Sequence, residues 1–223
     1  MFRGKKNKAD RKKFISYTVV FLLVGGLLLS ATAGFFDFLW GKKNPGYLAE
    51  EDEFILNLEK QASLLEKSCR EHPADLEKQA ALGSIYYELA IYLWGQGLEE
   101  GKRYAGKSLG LLLPVVEGGL QEPSITLKIA LLTAFIEGDD SRAEKYFLET
   151  LTLQDDYPEA HFYYGLFLAS LERVEEAKSH WESVLQQTEE DSFLAGEARR
   201  NLQNYAEMDS SQQKNEKQLI GGS

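Results

Sequence analysis

Two apolar-periodic stretches meet across a short charged turn in residues 158–185, PEAHFYYGLFLASLERVEEAKSHWESVL. Gly165 and Ala177 stand twelve residues apart, and Trp181 follows four residues after the alanine. In a helix–turn–helix, that spacing brings the two small residues to the point where the paired helices approach most closely. The large ring is left to fill the joint toward the next hairpin. Neither half can bury its apolar stripe alone, so a chain built this way must stack its hairpins.

The arrangement recurs. With Pro158 as position 1, Gly165 takes position 8, Ala177 position 20, Trp181 position 24 and Val184 position 27. Stepping back 34 residues puts Ala143, Phe147 and Thr150 at positions 20, 24 and 27, and Gly138 ends a first helix where Leu171 and Glu172 end the later one. Further upstream, HPADLEKQAALGSIYYELA carries Pro73, Leu82, Gly83 and Tyr86, and LEEGKRYAGKSLGLLLP supplies Gly101 and Ala105 to a second helix. Gly83 to Gly101 is 18 residues rather than 12, so the first helix of this unit is expected to be about six residues too long. PVVEGGLQEP (114–123) then adds about eight residues before the next unit.

Over residues 73–191 the chain resembles tetratricopeptide-repeat proteins, with about three units. The match is specific at Gly165, Ala177 and Trp181 and at Pro73, Leu82, Gly83 and Tyr86. It is weaker in the middle unit, where Leu131 replaces the small residue of position 8. The resemblance implies an all-α solenoid in which Gly83, Gly101, Ala143, Phe147, Gly165, Ala177 and Trp181 make the packing joints. Periodicity adds the flanks. Phe54, Ile55, Leu58, Ala62 and Leu65 share one face of an entry helix at 48–72. Ala198, Leu202 and Tyr205 share a face of a charged cap helix that closes the solenoid, 73–207. The polar residues 208–223 are expected to form a disordered tail.

The same resemblance implies a concave face made by the first helix of each unit. Its positions here are Glu77, Ala80, Ser84, Tyr87 and Glu88; Ile125, Lys128, Leu132, Phe135 and Ile136; and Glu159, Phe162, Leu166, Ala169 and Ser170. The face implies a partly apolar groove for a helix or extended peptide of a partner protein; for Tyr87, Phe135 and Phe162 a second reading stands, that they fill the core. Tetratricopeptide domains that hold acidic chaperone tails clamp carboxylates with Lys and Asn on this face. Here Lys128 alone is basic among Ala80, Ser84, Ile129, Glu159 and Tyr163, so an acidic tail is not the expected ligand.

The beginning of the chain is different. Residues 14–36, FISYTVVFLLVGGLLLSATAGFF, hold no ionisable Asp, Glu, Lys, Arg or His. As a helix they would span about 34 Å, enough for a hydrocarbon core of about 30 Å. Seven basic residues precede the run in segment 1–13, and only Lys42 and Lys43 follow closely, in a linker at 37–47. This asymmetry predicts a cytoplasmic N-terminus and an extracytoplasmic solenoid. Ala31-x-Ala33 offers an alternative, a signal peptide cut after Ala33 that releases a soluble module. The length of the apolar run and the continuation GFFDFLW favour a retained anchor.

Beyond position 43 the chain holds 16 basic and 33 acidic residues, a charge near −17 that repels polyphosphate and excludes a nucleic-acid partner. Cys69 is the only cysteine, which rules out an intramolecular disulfide and a Cys-based zinc site. His72, His161 and His180 show no triad spacing and read as surface or packing residues. No metalloprotease, nucleophile-elbow, P-loop or dinucleotide motif occurs. Neither an enzyme nor a cofactor or metal is expected. The expected interactions are with a protein or peptide partner associated with the membrane, with the lipid bilayer through residues 14–36, and with further copies of the chain in a homo-oligomer.

Overall fold

The computed structural model describes residues 45–220, with side chains from 53 to 207. The basic segment 1–13 and the apolar segment 14–36 lie outside the described residues. No described helix is long and apolar enough to cross a membrane. Every regular element among the described residues is helical. The chain divides into two compact units, the first ending at Leu153 and the second beginning at Gln154.

The first unit opens with α1 (Pro45–Glu71), whose leading proline supplies a φ already suited to a helix start. Its apolar face buries Leu58 and Ala62, and the Phe54 ring lies 5.3 Å from Tyr92. Polar contacts fix the helix further along. Tyr104 donates its hydroxyl hydrogen to Glu59 at 3.0 Å, and Tyr86 donates to Glu66. Burial, followed by the Glu66 hydrogen bond, pushes the Tyr86 phenol well above its ordinary range, so it stays a donor.

The helix α2 (Leu76–Gly95) starts where Asp75 accepts a hydrogen bond from the Lys78 backbone N–H at 3.1 Å. It is 20 residues long, against 13 for the corresponding first helix of the second unit. The extra length shifts the packing register. Gly83 and Gly101 do not face each other: a Cβ at Gly83 would lie 2.5 Å from Leu112 Cδ2, and one at Gly101 would lie 2.6 Å from the Trp94 backbone nitrogen and 2.9 Å from the Ala90 carbonyl. Gly101 instead makes its close approach to the α2 backbone at Ala90 and Trp94. The turn between the helices needs φ +75° at Gly97.

The partner helix α3 (Glu100–Glu117) runs through Pro114, although the sequence places a connection from that residue onward. Pro114 and Gly110, the residue four before it, are both exposed, so water can take the carbonyl that the proline leaves unbonded. Val115 and Val116 are then carried into the core. Next come α4 (Pro123–Leu132), a π-helical turn at Thr133–Glu137, and α5 (Asp140–Leu153). The Thr133 hydroxyl donates to the Ile129 carbonyl at 2.6 Å, and the Gly138 N–H reaches back five residues to Thr133 at 2.8 Å. Ala143 and Phe147 are both wholly buried on α5, and Thr150 donates its hydroxyl to that of Thr126 at 2.9 Å across the hairpin.

The second unit comprises α6 (Pro158–Ser170), α7 (Val174–Gln187) and α8 (Phe193–Ile220). Trp181 is wholly buried; its ring lies against Gly165, where a Cβ would come 2.6 Å from Nε1. That Nε1–H donates to the Phe162 carbonyl at 3.3 Å, and the ring stacks on Tyr205 of α8 with centroids 5.6 Å apart. Glu172 closes α6 with φ 66°, the left-handed conformation that Gly138 adopts 34 residues earlier. The helix α8 continues to Ile220, whereas the polar composition predicts disorder from 208. Gln, Lys and Glu in this stretch are good helix formers, so local propensity extends the last packed turns.

Across the α6–α7 hairpin, His161 and His180 meet with their Nδ1 atoms 2.8 Å apart. His161 Nε2 lies 2.8 Å from the Asp155 carbonyl and must carry its proton there, so in the neutral pair His180 Nδ1–H donates to His161 Nδ1. Burial, then the neighbouring His161, pushes His180 down to about 4 from 6.5; Glu176 opposes the shift and Arg173 adds to it. Between these two values the unfolded chain holds a proton that the folded chain refuses. Stability is therefore present above pH 6.5, is lost as pH falls, and is fully lost below about pH 4. After allowance for partial exposure, the expected loss is about 1–2 kcal/mol. Urea unfolding of wild type and His180→Gln at neutral and acidic pH checks this, because the variant should lack that component of the pH slope.

Candidate functional site

The first helices of the first unit, α2 and α4, enclose a cleft of about 250 Å³ with the segment that joins α3 to α4. Its walls are Glu77, Ala80, Ala81 and Ser84 from α2, and Ser124, Ile125 and Lys128 from α4; Leu120 and Glu122 of the connecting segment close one side. Glu77, Ala80, Ser84, Ile125 and Lys128 are thus brought together, as neighbours on the face that the repeat geometry assigns to them.

The chemistry of the cleft is mixed. Ala80 and Ile125 are buried and give an apolar floor, with Ala81 and Leu120 beside them. The Ser84 and Ser124 hydroxyls and the Lys128 ammonium have no side-chain hydrogen bond and no ion pair among the described residues. Lys128 is half-buried, and its nitrogen lies 6.0 Å from the centre of the Tyr87 ring. Burial pulls its pKa below the ordinary lysine value, against the opposing pull of Glu88 and Glu122. Burial likewise raises Glu88, against the effect of Lys128. The two charges therefore lie near each other without a contact that would neutralise them.

The remaining expected groove residues behave differently. Leu132 and Phe162 are 0% exposed and Leu166 is 4% exposed, so they present no surface to a partner in this structure. Tyr87 is buried at 7%. Their apolar side chains are the cheapest to withdraw from water, and on short helix pairs the core claims them first. Phe135 is half-buried within the π-helical turn, where the wider spiral departs from the register that assigned it to the face.

Leu120 and Glu122 were not legible as site residues, because no periodic signal marks a connecting segment, and Ser124 of α4 lies one residue before the first position that the repeat geometry assigns to the face. Pro123 at the first turn of α4 is the one local cue to where that helix begins. Among the described residues no group of three or more metal-ligating side chains occurs.

No family model matches the sequence, and no curated protein matches it. Among solved structures, the chain is similar to TTC0263, a thermophilic tetratricopeptide-repeat protein of Thermus thermophilus, with a TM-score of 0.56 and 17% identity, covering 88% of this chain and 99% of that one. It is also similar to MamA, with a TM-score of 0.50 and 14% identity over 70% of this chain and 91% of that one. At such identities the likeness is one of fold. The described part of the chain has the helical-solenoid fold of tetratricopeptide-repeat proteins.

Proposed function

We propose that the chain is a membrane-anchored, non-enzymatic scaffold that takes a segment of another polypeptide in the cleft between α2 and α4. The observation that carries this reading is the cleft itself: an apolar floor beneath three donors, Ser84, Ser124 and Lys128, that make no side-chain hydrogen bond or close ion pair among the described residues. An extended peptide needs both, apolar surface for its side chains and donors for its carbonyl oxygens. Residues 14–36 supply the anchor, and the basic residues before them keep the N-terminus cytoplasmic, so the solenoid faces the extracytoplasmic side. Tethering raises the effective concentration toward a partner in the same membrane, which suits assembly or export of envelope proteins.

Proximity labelling from the full-length protein in its membrane tests the reading. The double variant Ser84→Arg/Lys128→Glu fills the cleft and reverses its one cation without touching a fully buried residue. It is expected to lose the labelled partners at least tenfold while helix content and melting temperature stay unchanged. An unchanged set of labelled proteins would remove the cleft as the docking site. A mature N-terminus at Gly34 would remove the anchor and leave a secreted module.

A further inference from the structure

We infer that the segment taken by the cleft is basic: an extended stretch of another polypeptide that lays apolar side chains on Ala80 and Ile125 and brings a Lys or Arg to the carboxylates of Glu77 and Glu122. This rests on the reading of the cleft as the docking site and names the chemistry of its occupant. The charged residues that line the cleft are these two carboxylates and one ammonium, Lys128. Glu88, half-buried one turn beyond Ser84 on α2, adds a third carboxylate near Lys128.

None of the three carboxylates makes a close ion pair among the described residues. The bases nearest to them are committed elsewhere or held back. Lys78, next to Glu77 in sequence, turns to Asp75 at 2.8 Å. Lys128 is half-buried, 6.0 Å from the centre of the Tyr87 ring, and closes on neither Glu88 nor Glu122, although both act on its charge. Elsewhere in the same unit acids do find a base, as Glu99 pairs with Lys102 at 3.1 Å. Glu122 also holds the N-cap position of α4 without capping the helix with its side chain, so its carboxylate is left to a ligand.

The two signs in the cleft divide the work. Lys128, with Ser84 and Ser124, donates to the carbonyl oxygens of an extended backbone, which any sequence offers. Selection by charge falls to the carboxylates. An acidic segment would meet them with one cation to offset them, and the charge near −17 beyond position 43 repels it before contact; the same field steers a basic segment inward. The chain's own Lys42 and Lys43 cannot reach. Glu66, which meets Tyr86 two residues beyond Ser84, stands 21 residues along α1 from Pro45, about 32 Å of helix, and the two peptide links from Lys43 to Pro45 span about 7 Å.

The test is selection from a random decapeptide phage library on the purified full-length protein in detergent, counter-selected on Ser84→Arg, whose new side chain fills the cleft. Peptides retained by wild type alone are expected to be enriched in Lys and Arg over Asp and Glu. As synthetic peptides they should bind Glu77→Gln/Glu122→Gln about tenfold more weakly, the loss of two exposed ion pairs. Both glutamates are exposed, so helix content should be unchanged. Glu182→Gln/Glu189→Gln removes the same charge at exposed positions of the second unit and should leave binding within about twofold. Retained peptides that are neutral or acidic, or equal weakening by the two pairs of substitutions, would overturn the basic occupant and leave the cleft standing. A library that does not distinguish wild type from Ser84→Arg would remove the cleft and the inference together.

Discussion

Trp181→Ala is expected to lower the unfolding free energy by about 3–5 kcal/mol, the range for removing a large buried aromatic side chain. The side chain is 0% exposed. It closes over Gly165, stacks on Tyr205 and donates to the Phe162 carbonyl, so one residue joins all three helices of the second unit. The surrounding backbone is helical and cannot collapse into the space, which puts the loss toward the upper end. Urea unfolding of the full-length protein in detergent checks it. Leu148→Ala is the control: Leu148 is 50% exposed, and its truncation should change stability by no more than about 0.5 kcal/mol. Equal effects of the two substitutions would mean that the tryptophan is not the joint.

The second large effect turns on sign. Gly101→Ala and Gly106→Ala put the same methyl group on the same helix, five residues apart. At Gly106 the new Cβ meets nothing within 4 Å, and alanine should stabilise the helix by about 0.5–1 kcal/mol through propensity alone. At Gly101 it would meet the Trp94 backbone nitrogen at 2.6 Å and the Ala90 carbonyl at 2.9 Å. Backbone inside a helix cannot turn aside as a side chain can, so α2 and α3 must separate. The expected cost is about 2–3 kcal/mol. Thermal melts of the two variants should move in opposite directions.

These two sites also show what was legible in the sequence and what was not. The Gly165–Trp181 joint could be read because α6 and α7 keep the ordinary lengths, so spacing in sequence translates directly into facing positions in space. At Gly83 and Gly101 the same reasoning misplaced the contact. A helix-length change rotates and advances every later residue, and no local signal marks which small residue keeps the close approach. Pro114 stands where the sequence places a connection, yet the helix continues through it, with the Gly110 carbonyl on a face open to water. The cleft was half legible. Ser84 and Lys128 follow from repeat geometry, whereas Leu120 and Glu122 come from a connection with no period. Leu132 and Leu166 are expected on the groove and Phe162 on either groove or core, and all three side chains are buried.

The second unit is held by a matched pair in which a glycine makes room for a tryptophan, and a double-mutant cycle measures that match directly. Gly165→Ala should be destabilising by about 1–3 kcal/mol in the wild-type background, because the new methyl presses on a fully enclosed ring. In a Trp181→Leu background the ring is gone, and the same substitution should become neutral or stabilising, since alanine is the better helix former. An identical penalty in both backgrounds would contradict the match.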